Sequence, residues 1–118
     1  MLADARRRIE PRIEPEAFHT VHPGALVVDI RPAANRAAEG ELPRALVIER
    51  NELEWRLDPS SGHAVPEADA DTLVVLVCNE GYASSLAAAT LVDLGLRATD
   101  LVGGYRGLVA LRGGGLGD

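Results

Sequence analysis

Residues 78–85 read CNEGYASS and contain the one cysteine of the chain. They lie between an apolar run, TLVVLV at 72–77, and a stretch with helical spacing, SSLAAATLVDLG at 84–95. If the run is a strand and the stretch a helix, Cys78 stands at the carboxyl end of the strand, where ligands gather in open α/β sheets. So short a connection turns the N–H groups of residues 79–84 toward a common point. The positive end of the helix dipole is aimed there too, so a thiolate is stabilised. Gly81 provides a residue tolerant of positive φ for such a turn, and Ser84 and Ser85 are capping types that can offer a hydroxyl to sulfur. The same spacing fits a buried, inert cysteine that closes a strand before a tight turn.

The elements that must position this loop follow from the hydrophobic pattern. ALVVDIR at 25–31 is a β-branched run between Pro23-Gly24 and Pro32; ALVIER at 45–50 and DTLVVLV at 71–77 share its character, and ATDLV at 98–102 is a weaker fourth. Near-continuous hydrophobicity implies burial on both faces, as in a parallel sheet. Residues 84–94 put Leu86, Ala87, Thr90, Leu91 and Leu94 on one helical face, with Gly95 at the stop. EPEAFHTV at 14–21, PAANRAAE at 32–39 and NELEWRL at 51–57 are shorter helical segments. Strands alternating with helices predict an α/β domain with a central, mostly parallel sheet flanked by helices. Residues 58–71 carry turn formers and acids without periodicity and read as a surface loop. Length predicts a single domain, 1–118. Residues 1–12 read as an N-terminal extension whose RRR at 6–8 is a solvated end, and 112–118 as a flexible tail.

Composition excludes several classes. Eighteen acidic against twelve basic residues give a net charge of −6, which repels phosphate backbones and argues against nucleic acid. One cysteine makes no internal disulfide, and His19, His22 and His63 show no ligand spacing with it, so neither metal nor cofactor is expected. No apolar stretch has the length of a membrane span or the form of a signal peptide, which predicts a cytoplasmic protein with a free thiol. Aromatic residues are only 3% of the chain, leaving the core to Leu, Val, Ile and Ala.

The ordered set LVVDIRP, GELPRALVI, VVLVCNEGYASSLAAATLVDLG and DLVGGYRGL resembles the rhodanese, or sulfurtransferase, homology domain over nearly the whole chain. The resemblance implies a three-layer sandwich in which Cys78 is the nucleophile. Asn79, Glu80, Gly81, Tyr82 and Ala83 complete its loop, and Ser84 opens the supporting helix. It further implies transfer of sulfane sulfur from thiosulfate or a persulfide, through a Cys78 persulfide, to a thiol or cyanide acceptor. Asp29 and Arg31 resemble the family's Asp-x-Arg pair and read as a structural ion pair ahead of a catalytic one. Arg50 and Arg56 follow the strand at 45–50 and are pocket candidates, with Trp55 and Tyr82 as an apolar rim. The VGGYRG glycines read as a turn that lets the last strand pass close to the active site. Glu41, Leu108 and the acidic Glu80 depart from the family pattern, and Glu80 disfavours a dianionic donor. Related phosphatases need an arginine six positions after the cysteine, where Ser84 stands. The remaining alternative is a catalytically idle domain used for regulation or protein contact, and the retained cysteine favours the enzyme.

Overall fold

The structure, a computed structural model, describes residues 1–21, 24–69 and 71–112. Strands β1 (Leu26–Asp29), β2 (Leu46–Val47), β3 (Val74–Val77) and β4 (Ala98–Asp100) form one parallel sheet in the order β2-β1-β3-β4. Helix α1 (Leu2–Arg8) precedes the sheet, and each strand is followed by helix: α2 (Ala33–Glu39), α3 (Leu53–Leu57), α4 (Ala83–Asp93) and α5 (Gly104–Arg112). Residues 15–20, within the expected helix at 14–21, form a 3₁₀ turn. Because every strand runs the same way, the carboxyl ends of all four lie at one edge of the sheet.

Side chains alternate across a strand, so each face has its own core. On one face Val28, Val74, Leu76 and Cys78 pack with Ala5, Leu53, Leu57, Ala87, Ala88 and Leu91 from α1, α3 and α4. On the other, Val27, Val75 and Val77 pack with Phe18, Leu101, Tyr105 and Leu108. The sandwich therefore has three layers, with the sheet in the middle.

The N-terminal extension is only in part a solvated end: Arg7 and Arg8 are exposed, but the extension as a whole is packed. Helix α1 lies along α4, burying Ala5 and Ile9, and Arg8 pairs with Asp93. The cause lies in α4, whose alanines at 87–89 are buried and give that helix little bulk of its own, so a further helix must cover its outer side. Beyond α1 the chain runs beside the sheet edge, where Ile13 makes a parallel bridge to Leu101. Leu94 is exposed because α4 ends at Asp93, one residue short of the expected stripe. Arg112 closes α5; residues 113–118 of the expected tail lie outside the described residues. Among the described residues no helix is long and apolar enough to cross a membrane.

Candidate active site

Cys78 follows β3 directly and is 5% exposed. Its Sγ accepts the N–H of Gly81 at 3.1 Å and that of Ser84 at 3.3 Å. No side chain caps α4, and the sulfur takes that place by accepting from its second residue. Unpaired first-turn N–H groups and the positive end of the helix dipole both favour charge on such an acceptor. Two amides bond the sulfur, rather than all those of residues 79–84. One acceptor atom cannot lie within bonding distance of every N–H strung along a loop.

The loop keeps its N–H groups inward because its carbonyls are held from outside. Cys78 O accepts Tyr105 N–H at 2.8 Å and Asn79 O accepts Arg106 N–H at 3.0 Å, both from the first turn of α5. Gly81 O accepts Arg6 Nη2 at 2.9 Å and Arg12 Nη2 at 3.3 Å, and Ser85 Oγ lies 3.1 Å from it. Gly81 has φ +82°, and a Cβ on it would lie 2.7 Å from the Gly103 nitrogen. A Cβ on Gly104 would lie 2.5 Å from Cys78 O. The cysteine loop and the 101–104 turn thus touch backbone to backbone, and glycine is required on both sides of the contact.

Ser84 and Ser85 lie inside the first turn of α4, fully buried, and both hydroxyls are 2.7 Å from Asp100 Oδ2. Asp100 pairs with Leu76 in the β3–β4 register, so it shares the face of the sheet on which Cys78 lies. Arg12, brought alongside by the Ile13–Leu101 bridge, donates Nε to Asp100 Oδ1 at 2.7 Å and Nη2 to Oδ2 at 3.1 Å. Ser84 Oγ is 3.2 Å from Cys78 Sγ. Arginine, carboxylate, hydroxyl and thiol are therefore one continuous buried chain.

Cys78 is thus a buried sheet-end cysteine held by the Gly81 and Ser84 N–H groups, in a loop backed by a glycine turn. The family model of the rhodanese-like domain matches residues 16–111. The chain belongs to the rhodanese-like family. Among solved structures it is similar to a Rhodopseudomonas palustris protein of unknown function described as a possible tyrosine phosphatase. The identity is 30%, the TM-score 0.85, and the match covers 96% of this chain and 88% of that one. A thiosulfate sulfurtransferase from Pseudomonas aeruginosa is similar at 27% identity and TM-score 0.64, over 86% of this chain and 18% of that one. The human single-domain sulfurtransferase TSTD1 shares the fold at TM-score 0.71 and 24% identity, over 85% and 96% of the two chains. No curated protein matches in sequence.

The other candidate residues of this rhodanese-like domain divide between the rim and more distant places. Glu80 is largely exposed and lies 3.4 Å from Arg106, which also holds Glu39 through two bonds of 3.0 and 2.8 Å. That hydrogen bonding from Arg106 keeps the Glu39 carboxyl below the usual carboxylate range and pushes the Arg106 guanidinium up. Tyr82 and Ala83 are exposed, and the Asn79 Oδ1 is buried without a partner among the described residues. Trp55 is 47% exposed and stacks on exposed His63 at 4.7 Å. Asp29 aligns with Val77 and so lies on the face opposite Cys78, bonded to Arg31, whose guanidinium packs 3.8 Å over the Tyr105 ring. Arg50 pairs with Glu54 on the surface, and Arg56 lines a groove with Val47, Glu49 and Val65. Among the described residues no hydrogen bond links Asp29, Arg31, Arg50 or Arg56 to the cysteine loop. Among the described residues no His, Cys, Asp and Glu cluster is placed to hold a metal.

Arg6, Arg12, Asp100 and Arg106 contact the cysteine loop or the helix behind it and are absent from the sequence expectations. Asp100 did leave a signal, as a carboxylate inside the apolar ATDLV run. A charge in a buried strand requires a partner, but nothing local in the sequence says that the partner is Arg12.

Proposed function

We propose that this rhodanese-like domain is a sulfurtransferase in which Cys78 carries the sulfur. The observation that supports it best is the sulfur itself, held by Gly81 N–H and Ser84 N–H at the start of α4. In the first step the Cys78 thiolate attacks the sulfane sulfur of thiosulfate or a persulfide. A new S–S bond forms, and the donor's S–S bond breaks with its electron pair leaving on sulfite or a thiolate. In the second, a thiol or cyanide attacks the outer sulfur, and Cys78 departs as the thiolate it was. No other cysteine is present to resolve the persulfide internally, so the acceptor is external. The chemistry needs no cofactor or metal and suits a reducing cytoplasm.

Asn79, Glu80, Gly81, Tyr82, Ala83 and Ser84 form the sulfur-binding loop in this reading. Phosphate hydrolysis is disfavoured: Ser84 stands where a phosphatase needs its arginine, and Arg6 and Arg12 bond the outward-facing Gly81 carbonyl. The test is mass spectrometry of the intact protein after exposure to thiosulfate, glutathione persulfide and mercaptopyruvate. One added sulfur on Cys78 with at least one donor, removed by cyanide and absent from Cys78→Ser, is the expected result. A folded wild type that takes sulfur from none of them would leave the regulatory or protein-contact reading in its place.

A further inference from the structure

The buried chain behind the thiol has fewer protons than bonds to fill, and counting them assigns a role. Ser84 has one hydroxyl proton and two neighbours that compete for it, Asp100 Oδ2 at 2.7 Å and Cys78 Sγ at 3.2 Å. A short bond to an ionised carboxylate wins over one to a neutral thiol. In the resting state Ser84 therefore donates to Asp100 and turns a lone pair to sulfur, so that Cys78 donates S–H into Ser84. Once sulfur is ionised no proton lies between it and Ser84, and the hydroxyl must turn to donate to sulfur. Asp100 can release it, because Ser85 gives its one proton to the carboxylate at 2.7 Å, leaving Gly81 O to Arg6 and Arg12, and two Arg12 nitrogens complete the carboxylate's bonds.

We propose that Asp100 is a positioning residue that acts through Ser84 to favour the protonated thiol, and that Arg12 tempers it by neutralising its charge. The loop amides and α4 pull toward thiolate, and Asp100 pulls back. Other charges around the site are Arg6 of α1, which donates Nε to Ser85 and Nη2 to Gly81 O, and Glu80, which faces Arg106 of α5. The Asp100 and Ser84 side chains are fully buried and the Arg12 side chain is 15% exposed, so water screens this chain little. Arg6 and Arg12 also lie before residue 16, where the family match begins. The proposal rests on Cys78 being the reactive thiol of the sulfurtransferase reading.

Alkylation of Cys78 by iodoacetamide reads the thiol whether or not a sulfur donor is ever found. It is to be followed at pH 6 and pH 9 on folded protein. In Asp100→Asn the amide oxygen keeps the Arg12 Nε bond at the Oδ1 position, the NH₂ at the Oδ2 position faces the serines and gives up the Arg12 Nη2 bond, and Ser84 must give its proton to sulfur. Alkylation at pH 6 should then rise about tenfold or more, as expected for a unit charge lost at roughly 6 Å with an effective dielectric of no more than about 40. Arg12→Gln, which leaves Asp100 without its countercharge, should slow alkylation at pH 6 by a similar factor, and Arg12→Lys, which keeps the countercharge but not the two-point contact, should fall between Arg12→Gln and wild type. At pH 9 all four proteins should agree within about twofold. A purely structural role predicts no change, or changes of one sign, and either result overturns the proposal. If Asp100→Asn does not fold, the contrast between Arg12→Gln and Arg12→Lys at the two pH values decides it alone.

Discussion

Two arginine–aspartate pairs stand at the carboxyl end of the sheet, one on each face, both with a fully buried aspartate. Arg31 and Asp29 lie two residues apart on β1 and the segment just after it; Arg12 and Asp100 are eighty-eight residues apart and meet only through the edge bridge. The first pair is closed. Asp29 holds the Arg31 backbone N–H at 3.0 Å and its Nε and Nη2, while Nη2 also donates to Gly40 O at 2.8 Å, the guanidinium lies over the Tyr105 ring, and Nη1 is buried with no hydrogen-bond partner among the described residues. The second pair is open, because Asp100 has two serine hydroxyls against it and one of them touches the thiol. Equal charge chemistry thus does different work according to what else the carboxylate bonds. The closed pair locks the β1 end to α2 and α5, and the open pair joins the N-terminal extension to Cys78.

The largest effect should come from breaking the closed pair. Arg31→Met leaves a fully buried carboxylate without its countercharge, and unfolding free energy from urea titration should fall by about 3–5 kcal/mol. That is a large share of the roughly 5–15 kcal/mol typical of a domain. Alkylation of Cys78 in the fraction still folded should stay within about twofold of wild type at pH 6. A rate that moved as far as in the Asp100 and Arg12 variants would erase the distinction between the pairs.

A matched pair of glycines sharpens the contrast. Gly40 has φ +109° with a would-be Cβ 2.7 Å from Tyr105 Oη, on the closed side; Gly81 has φ +82° with a would-be Cβ 2.7 Å from the Gly103 nitrogen, on the open side. Either change to alanine should cost about 1–3 kcal/mol of stability. Only Gly81→Ala moves the N–H that bonds sulfur, so only it should lower persulfide formation, by about tenfold or more in mass-spectrometric time courses. Equal persulfide rates in the two variants would show that the loop amides do not set the chemistry.

The smallest effect is expected at the rim. Glu80 faces Arg106, so its charge is partly offset, and exposed ion pairs of this kind are worth about 0–1 kcal/mol. Glu80→Lys should raise kcat/KM for thiosulfate by no more than about fivefold at low ionic strength, and the gain should vanish in about 1 M salt. A rise of a hundredfold would mean that the rim outweighs the buried chain as a source of control.

Local pattern was enough for much of this molecule. The runs at 25–31 and 71–77 were legible as buried strands, whereas the run at 45–50 supplies only the two-residue edge strand β2 with Val47 exposed, because an edge strand has a neighbour on one side alone; Gly95 ended α4 within two residues of its last helical position. Cys78, Gly81 and Ser84 were legible because strand end, turn and helix start are contiguous in the chain, so their geometry is a local matter of φ, ψ and dipole. The Asp29–Arg31 pair was legible for the same reason. What the sequence could not decide was everything made across distance. Whether RRR at 6–8 meets water or the back of the cysteine loop depends on α1 packing over the small side chains of α4, which sets Arg6 beside Gly81 O while Arg7 stays exposed with Asp4. Whether Asp100 faces Cys78 or Tyr105 depends on the β3–β4 register, because a shift by one residue turns every side chain to the other face. Residue types and short spacings determined that there is a thiol at a helix start. Only packing and register, which are sums over the whole chain, decided that Ser84, Asp100 and Arg12 stand behind it.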